Sequence, residues 1–507
     1  MNARHSYSEG LSRNVVSFGV LGFLGLISAI AIARLYGVTV LGEFALVSAP
    51  VNVLFAFSSA REQVGLVREL ATLPPRAPRV TGLFYAVLVF SFGLTVVVGL
   101  LTVGATYLLF NGPIHHPGLV KPAVVAIIGY TIFINTCWNM DMVFSAFHAG
   151  GELFATRLNQ AVAFIVLSIA ATYEFKTIWG LVAATILSYV TSLIHKAFAL
   201  RKYMRATVPL DELRRGLQTL PELIRFGLKI APGQIFDGVT SECGTFVMGV
   251  LSPVAALGAY NRAQQLGKRF LDLQAKVLEM LFPALVRRRS EADHHGFDRA
   301  LMDSIRYSVA GMLLPAAALG GAAVGVMKVF GSGFSSGSGA LTVIMLVPAL
   351  VTVSSLQRAA LIAVGRPWTT AISGSIRMIV SVAATIFLVM RLEATGAALG
   401  IVVGVCFDMV YTSANTRRHL QIPATHLWTV RQMLATGLAY GAGFATARGI
   451  YSSFESWGGL LLALVASVLV YVGVFVLSGG LAARDRDRIA MILGVLRRRT
   501  GVLVSNR

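Results

Sequence analysis

The sequence has 507 residues, of which 56% are hydrophobic and only 13% are charged, and its mean hydropathy is +0.73. This composition excludes a soluble globular domain. The formal net charge of +20 would suit nucleic-acid binding, so the basic residues have to be placed before that function is judged. Apolar stretches of about 20 residues, enough to cross about 30 Å of hydrocarbon as helices, recur along the chain. We therefore predict an all-α polytopic membrane protein.

About fourteen transmembrane helices are predicted from these stretches. They cover residues 14–33, 41–60, 80–110, 123–147, 157–173, 177–198, 230–251, 258–282, 304–330, 339–364, 370–390, 395–414, 433–450 and 458–482. The first stretch follows Arg4 and Arg13, as the apolar core of a cleaved signal peptide would. Its apolar run of about twenty residues exceeds the usual signal core of about 7–15, so we expect a retained helix.

The basic residues are concentrated in alternate loops. The loops on the side of the termini carry clusters: Arg61, Arg68, Arg76 and Arg79; Lys196 through Lys229; Arg287 to Arg289; Arg417 and Arg418; and the arginines after Ala483. The opposite loops carry single charges: Lys121, Lys176, Lys328, Arg391 and Arg448. This bias predicts cytoplasmic termini. The net charge is thus a topology signal with some attraction to anionic membrane lipids, and we expect no nucleic-acid partner.

The predicted eighth span contains an unusual charged segment, AYNRAQQLGKRFLDLQAKVLEML at residues 259–281. It carries six ionisable side chains: Arg262, Lys268, Arg269, Asp272, Lys276 and Glu279. An interfacial helix lying flat on the membrane is one explanation. That arrangement would move every later loop to the other side and reverse the charge bias, so we expect the segment to span. On a helical wheel all six charges fall within an arc of about 120°.

Two explanations for this charged stripe remain. Asp272 lies three residues after Arg269 and four before Lys276, and both spacings allow pairing within the helix. Four cations against two anions nevertheless leave a positive surplus, which internal pairing cannot neutralise. The surplus favours a water-filled central cavity with a cationic wall formed by Arg262, Lys268, Arg269 and Lys276.

A short motif occurs at equivalent places in two halves of the chain. Leu41-Gly42-Glu43-Phe44 and Leu257-Gly258-Ala259-Tyr260 share the pattern Leu-Gly-x-aromatic, and six predicted spans separate them. An even number of spans predicts parallel repeats related by a pseudo-two-fold axis along the membrane normal. We therefore expect a six-helix lobe at 1–198, a cytoplasmic linker at 199–229, a second six-helix lobe at 230–414, and two further helices with a basic tail at 415–507.

Carboxylates inside the predicted spans are candidates for coupling transport to a proton or a sodium ion. They are Asp141, Asp237, Glu242, Asp272 and Glu279. The alternative is that they bond neighbouring helices or pair with cations of the eighth span. Asp408 is expected to pair with Arg377 or with lipid headgroups. We expect no other cofactor and no metal, because the adjacent histidines at 115–116 and 294–295 lack the spacing of a metal site.

Two parts of the sequence resemble a known family. Arg34-Leu35-Tyr36-Gly37 with Gly42-Glu43-Phe44, and Phe226-Gly227 with Pro232 followed by LGAYNRAQQL, are similar to Wzx-type polysaccharide flippases. These proteins belong to the multidrug/oligosaccharidyl-lipid/polysaccharide (MOP) exporter superfamily. The resemblance implies two lobes around a central cavity and alternating access. It also implies transfer of a polyprenyl-diphosphate-linked oligosaccharide across the bacterial inner membrane.

The charged stripe suits such a cargo, because arginine offers bidentate forks to phosphate oxygens and lysine a point charge. We expect Arg269 and Lys276 to bind the diphosphate or an acidic sugar, with Arg262 near the periplasmic mouth. The resemblance also implies work alongside a polysaccharide polymerase and export machinery. The two-lobe design predicts that a monomer suffices.

Three other functions were weighed. A cation-coupled multidrug antiporter of the same superfamily should line its cavity with carboxylates and aromatic residues rather than cations. A peptidoglycan-precursor flippase resembles this layout but carries arginines in the first span, and here there are none between Arg13 and Arg34. A multi-span enzyme is not expected, because the predicted periplasmic loops are short and no nucleophile-and-base constellation occurs.

Overall fold

The structure is a computed structural model that describes residues 3–480 apart from 206, 208–209, 229–230, 292, 367 and 421–429. Within the described helices, the side chains of 3–18, 234, 276–277, 279–280, 283–284, 286–287, 289–290, 294 and 430 lie outside the description. Every regular element among the described residues is a helix, which confirms the predicted all-α class. The basic tail after residue 483 lies outside the described residues.

Seventeen α-helices follow one another in the described part of the chain. In order they are α1 (Ala3–Phe57), α2 (Glu62–Leu70), α3 (Pro78–Asn111), α4 (Val120–Gly129), α5 (Asn135–Ala146), α6 (Gly150–Glu174), α7 (Ile178–Leu200), α8 (Leu210–Leu228), α9 (Ala231–Leu251), α10 (Val254–Ser290), α11 (His294–Gly321), α12 (Ala323–Phe330), α13 (Ser338–Ile344), α14 (Val347–Ala363), α15 (Trp368–Leu420), α16 (Val430–Ser453) and α17 (Trp457–Leu477). A π-helical turn at Tyr130–Ile134 joins α4 to α5.

Two long helices are broken where the sequence predicts a loop between spans. In α1 the break is at Gly37, whose φ of 80° suits glycine, and in α15 it is at Glu393. Among the described residues, 8 helices are long and apolar enough to cross a membrane, or 9 if the bent pair α11 and α12 is one span. Two of the 8 contain these breaks and each covers two predicted spans. The structure thus confirms a polytopic helical fold, while the number fourteen stays a prediction.

Contacts divide the chain into two compact units. The first comprises Met1–Arg269, Met327–Ile344 and Pro367–Asp408. One apolar core of this unit joins α2, α3, α5, α7 and α8, with Leu66 and Phe144 fully buried. The predicted boundaries of the two lobes are not tested by this division and stay a prediction.

The second unit comprises Phe270–Val326, Met345–Arg366 and Met409–Arg507. Its core is formed by α11 and α14 together with the later part of α10. The helices α16 and α17 pack against α11, where the hydroxyl of Tyr471 donates to the carbonyl oxygen of Ala310 at 2.7 Å. The second unit therefore has an interior of its own.

Some polar side chains of the first unit are buried between helices, while several large apolar side chains on the same helices are exposed. On α3, Val97 and Leu100 are exposed, whereas Ser91 is fully buried. Ser91 donates to Asn135 on α5 at 3.1 Å and accepts from Asn139 at 3.2 Å. This distribution is typical of helices that face lipid on one side and hold each other by hydrogen bonds on the other.

The two copies of the repeated motif meet directly, at the crossing of α1 and α10. A Cβ atom at Gly42 would collide with the carbonyl oxygen of Val254, and one at Gly258 would collide with that of Val38. The contact is reciprocal, because Val38 and Val254 each lie four residues before their own glycine. Glycine is needed at both places because the two backbones approach more closely than any side chain allows.

Candidate functional site

A cavity of about 430 Å³ lies within the first unit, between α1, α6, α7 and α10. Its polar lining residues are Ser28, Arg157, Gln160, Thr185, Ser188, Tyr189, Arg262, Gln265 and Arg269. A smaller cavity of about 40 Å³ shares Gly25, Ala29, Arg262 and Arg269 with it. The described lining therefore contains three arginines and no carboxylate, which gives the cavity a positive wall.

Helix α10 places two of these arginines on one face. Arg262 lies one turn after Gly258, so it follows directly from the crossing with α1, and Arg269 lies two turns further on. Both were predicted to line a central cavity, and the structure places both on this one. The close glycine contact brings the α10 backbone near α1, and the arginines then point along the same face.

Arg262 is a buried cation without a counter-charge in the described part of the chain. The residue is 6% exposed, and its Nη1 atom donates to the side-chain oxygen of Gln265 at 2.8 Å. Its Nε atom is buried and makes no hydrogen bond. Gln265 itself donates to Asn261 at 2.9 Å, which turns its oxygen towards Arg262. An amide satisfies one donor but does not neutralise the charge, so the charge of Arg262 is not compensated by any residue that the structure describes.

The guanidinium group of Arg269 packs against Gly25 of α1. A Cβ atom at Gly25 would be 2.9 Å from the Nη2 atom of Arg269, so even an alanine would push the guanidinium group aside. Arg269 is exposed to the cavity side and forms no ion pair with a described residue. Gly25 thus leaves room for a second cation beside Arg262.

The third arginine, Arg157, was not identified from the sequence. Its Nη2 atom lies 3.5 Å from Asp141 on α5, a predicted ion-coupling residue. Asp141 also forms a salt bridge of 2.6 Å with Lys196 on α7, which is buried. The signal that could have revealed this cluster was Asp141 itself. A carboxylate inside a membrane protein needs a cation, and the neighbouring predicted spans offered one arginine and one lysine.

Glu242 holds the predicted cavity cation Lys268. The Nζ atom of Lys268 lies 3.0 Å from the carboxylate of Glu242, which is buried on α9. Asn52 on α1 donates to the same carboxylate oxygen at 3.2 Å. Lys268 is not among the described residues that line the cavity. Its role as a substrate ligand therefore stays a prediction, and the structure gives it an intramolecular partner.

The remaining predicted residues lie elsewhere. Asp237 forms an ion pair with Arg377 rather than with a described cation of α10, and Asp408, whose charge also acts on Arg377, accepts from Ser373. Asp272 is exposed and belongs to the second unit. The side chains of Lys276 and Glu279 lie outside the described residues. No group of three His, Cys, Asp or Glu that could hold a metal occurs in the part of the chain that the structure describes.

Glu62, which lies outside the predicted spans, has a raised pKa. Glu62 at the start of α2 is fully buried, and burial raises the pKa of its carboxyl group. Ser59 donates to its Oε2 atom at 3.4 Å, whereas its Oε1 atom is buried without a hydrogen bond. The carboxyl group of Glu62 thus holds its proton more tightly in the folded protein than in the unfolded chain.

Comparisons with known proteins were made for the sequence and for the fold. The sequence model of a family described as "Polysaccharide biosynthesis protein" matches residues 31–327. A comparison with curated proteins finds no match. Among solved structures, the fold is similar to "Lipid II flippase MurJ, inward closed conformation", with 12% sequence identity, coverage of 93% of this chain and 99% of that chain, and a TM-score of 0.65.

Two further structures are similar. An inward-facing multidrug resistance MATE family transporter of the MOP superfamily is 17% identical, covering 81% of this chain and 98% of that chain, with a TM-score of 0.60. A MOP superfamily transporter from Pyrococcus furiosus, described as having a binding pocket of reverse polarity, is 16% identical, covering 83% and 96%, with a TM-score of 0.54. At these identities the likeness shows the fold alone.

Proposed function

The chain belongs to the family of polysaccharide biosynthesis proteins, and from that premise we propose that it is a flippase for a polyprenyl-diphosphate-linked oligosaccharide. The proposed flippase moves this cargo across the bacterial inner membrane by alternating access, for export of a cell-surface polysaccharide. Its fold is that of MOP superfamily transporters.

The observation that carries this proposal is the buried, unneutralised charge of Arg262 on the wall of a cavity that also presents Arg157 and Arg269. A buried cation without a counter-charge is costly for the fold. A diphosphate carries at least two negative charges and offers oxygens for several guanidinium groups. The cargo therefore supplies the counter-charge that the cavity lacks.

The neutral polar residues of the cavity suit the sugar portion of the cargo. Gln160, Thr185, Ser188 and Gln265 offer donors and acceptors for hydroxyl groups. A volume of about 430 Å³ is that of a pocket for one small molecule. In this conformation we expect it to hold the diphosphate and the adjoining sugar, while the polyprenyl chain stays in the lipid.

The glycine crossing of α1 and α10 supports alternating access. Gly42 and Gly258 belong to the two predicted repeats, and their backbones are in direct contact in this conformation. Cargo can pass between the repeats only when that contact separates. The break at Gly37 in α1 gives the chain a flexible point beside the crossing.

A coupling ion is part of the proposal. At Asp141, Asp237 and Glu242 a proton or a sodium ion would have to compete with a lysine or an arginine already in place. The cytoplasmic termini, the association with anionic lipids, the polymerase and export machinery, and the monomeric state belong to the same proposal.

The cavity also bears on the rival functions. Three arginines repel an organic cation, which speaks against a multidrug antiporter. A peptidoglycan precursor also carries a diphosphate on a lipid, and the likeness to a lipid II flippase makes it the second candidate. The two candidates are distinguished by the lipid-linked compound that accumulates in cells depleted of this protein, which is either a peptidoglycan precursor or a unit of an exported polysaccharide.

The test is export of surface glycan by cells whose own copy is replaced by variants. The double variant Arg262→Gln with Arg269→Gln should reach the membrane at normal abundance and lose export. The matched control is Arg391→Gln with Arg448→Gln, which removes the same charge from two exposed arginines outside the cavity and should export normally. Normal export by the cavity variant would overturn the proposal.

A further inference from the structure

We propose that Arg157 is shared between two anions: it pairs with Asp141 when the cavity is empty and with the diphosphate of the cargo when the cavity is filled. On this view the buried Lys196 is the residue that makes the exchange possible. The inference rests on the proposed function of the cavity. It assigns a role to the cluster of Asp141, Arg157 and Lys196, which lies outside the charged stripe of α10.

The two cations of the cluster hold Asp141 very differently. Lys196 is 2% exposed, lies 2.6 Å from the Oδ1 atom of Asp141, and donates to the carbonyl oxygen of Cys137 at 3.2 Å. Arg157 lies 3.5 Å from the Oδ2 atom, and its side chain is 49% exposed. Lys196 is both the closer and the more buried of the two cations. Lys196 is thus the tight partner, and Arg157 is the loose one.

This asymmetry lets Arg157 leave without exposing a bare charge. Removing the sole partner of a buried carboxylate would leave an uncompensated anion, which proteins avoid. Here Asp141 keeps Lys196 after Arg157 has turned away. Two cations share one anion, so the cluster carries one surplus positive charge, and Arg157 is the member that lines the cavity.

The exchange would connect two helices through the cargo. Arg157 lies on α6, in the first predicted repeat, whereas Arg262 and Arg269 lie on α10, in the second. A diphosphate bound by all three would join α6 to α10, and both helices line the same cavity. Cargo binding would thereby hold the repeats together around the anion, while an empty cavity returns Arg157 to Asp141.

The test measures binding of geranyl diphosphate to the full-length protein in detergent by isothermal titration calorimetry. The informative variant is Asp141→Asn with Lys196→Met, which removes one negative and one positive charge and so leaves the net charge unchanged. It frees Arg157 from its competitor, and we expect about 3- to 10-fold tighter binding. A merely structural role for the cluster would give unchanged or weaker binding.

Two comparisons complete the design. Arg157→Gln alone should weaken binding about tenfold or more, and adding it to the informative variant should abolish the gain. A gain that persists without Arg157, or no gain in a folded informative variant, would overturn the inference. If that variant does not fold, the effect of Asp141→Asn on binding is measured in the wild-type protein and in the Arg157→Gln variant. Both effects include the same change in net charge, so the difference between them reports Arg157 alone. Equal effects in the two backgrounds would overturn the inference.

The failure of this inference is distinct from the failure of the proposed function. Binding that is unaffected by Arg262→Gln with Arg269→Gln would overturn the cavity itself as the diphosphate site. If binding is lost in that variant but its affinity is unchanged by every substitution of Arg157, only the exchange is overturned.

Discussion

Replacing Arg262 by methionine should make the protein more stable and inactive at once. Methionine fills the space of the arginine stem but carries no charge and no donors. The residue is 6% exposed, its Nε atom has no partner, and Gln265 is its one described hydrogen-bond acceptor. The fold therefore bears the cost of a charge that no described residue neutralises, and under the proposed function the cargo supplies the counter-charge.

The size of the effect follows from two opposing contributions. An arginine at the centre of a membrane helix costs about 2.5–3.5 kcal/mol on insertion scales, and this is an upper bound for Arg262, which we expect near the periplasmic mouth. The hydrogen bond to Gln265 has a charged donor, which methionine lacks, and contributes about 1.5–3 kcal/mol. Arg262→Met should thus raise the free energy of unfolding by at most about 1 kcal/mol.

Lys196→Met is the matched comparison, because Lys196 is also buried but has a carboxylate partner. Removing one partner of a buried pair usually costs about 3–5 kcal/mol, and Arg157, 3.5 Å from the same carboxylate, should reduce this cost in Lys196→Met. Thermal unfolding in detergent should therefore give a higher Tm than wild type for Arg262→Met and a lower one for Lys196→Met. Glycan export should be lost in Arg262→Met despite its stability. If the Tm of both variants falls by the same amount, Arg262 is stabilised by a partner as Lys196 is, and its charge is not unneutralised.

Three further predictions follow from single positions. Gly258→Ala should force α10 away from α1 and shift the protein out of this conformation. Spin labels on the two helices should then show a changed distance distribution. Gly19→Ala is the control and should leave the distribution unchanged, because a Cβ atom at Gly19 meets nothing within 4 Å. Gly25→Ala should displace the guanidinium group of Arg269 and weaken geranyl diphosphate binding about 3- to 10-fold, with Gly19→Ala again unchanged; equal affinities would refute the placement of Arg269. Burial raises the pKa of Glu62 above its ordinary value of 4.5, so the unfolded chain loses this proton first and wild-type stability falls as pH rises above about 4.5. Glu62→Gln should remove that fall, giving a higher Tm than wild type at pH 8 and an equal one near pH 4, and parallel pH profiles would contradict it.

Much of the fold could be predicted because membrane helices are long and apolar. The gaps between predicted spans fall at the breaks that the structure shows at Gly37 and Glu393. The repeated Leu-Gly-x-aromatic motif identified equivalent positions, but not that Gly42 and Gly258 touch. Contact between distant backbones depends on how helices pack, and a single sequence does not contain that information.

The sequence predicts which residues of the site share a face of one helix, but not which residues of different helices are in contact. The helical wheel of α10 placed Arg262 and Arg269 on one face, and both line the cavity. The same wheel included Lys268, whose partner Glu242 lies on α9 and could not be matched to it without the helix packing. Arg157 was missed because it stands at the edge of a predicted span, where a cation usually faces lipid headgroups.

The central claim is that this chain moves a lipid-linked oligosaccharide across the membrane. It is tested most directly by mass spectrometry of the polyprenyl-diphosphate fraction from cells depleted of the protein. The account predicts that a completed oligosaccharide accumulates on its lipid carrier while the surface glycan disappears. An unchanged lipid fraction, together with altered sensitivity to cationic drugs, would contradict it and favour the antiporter.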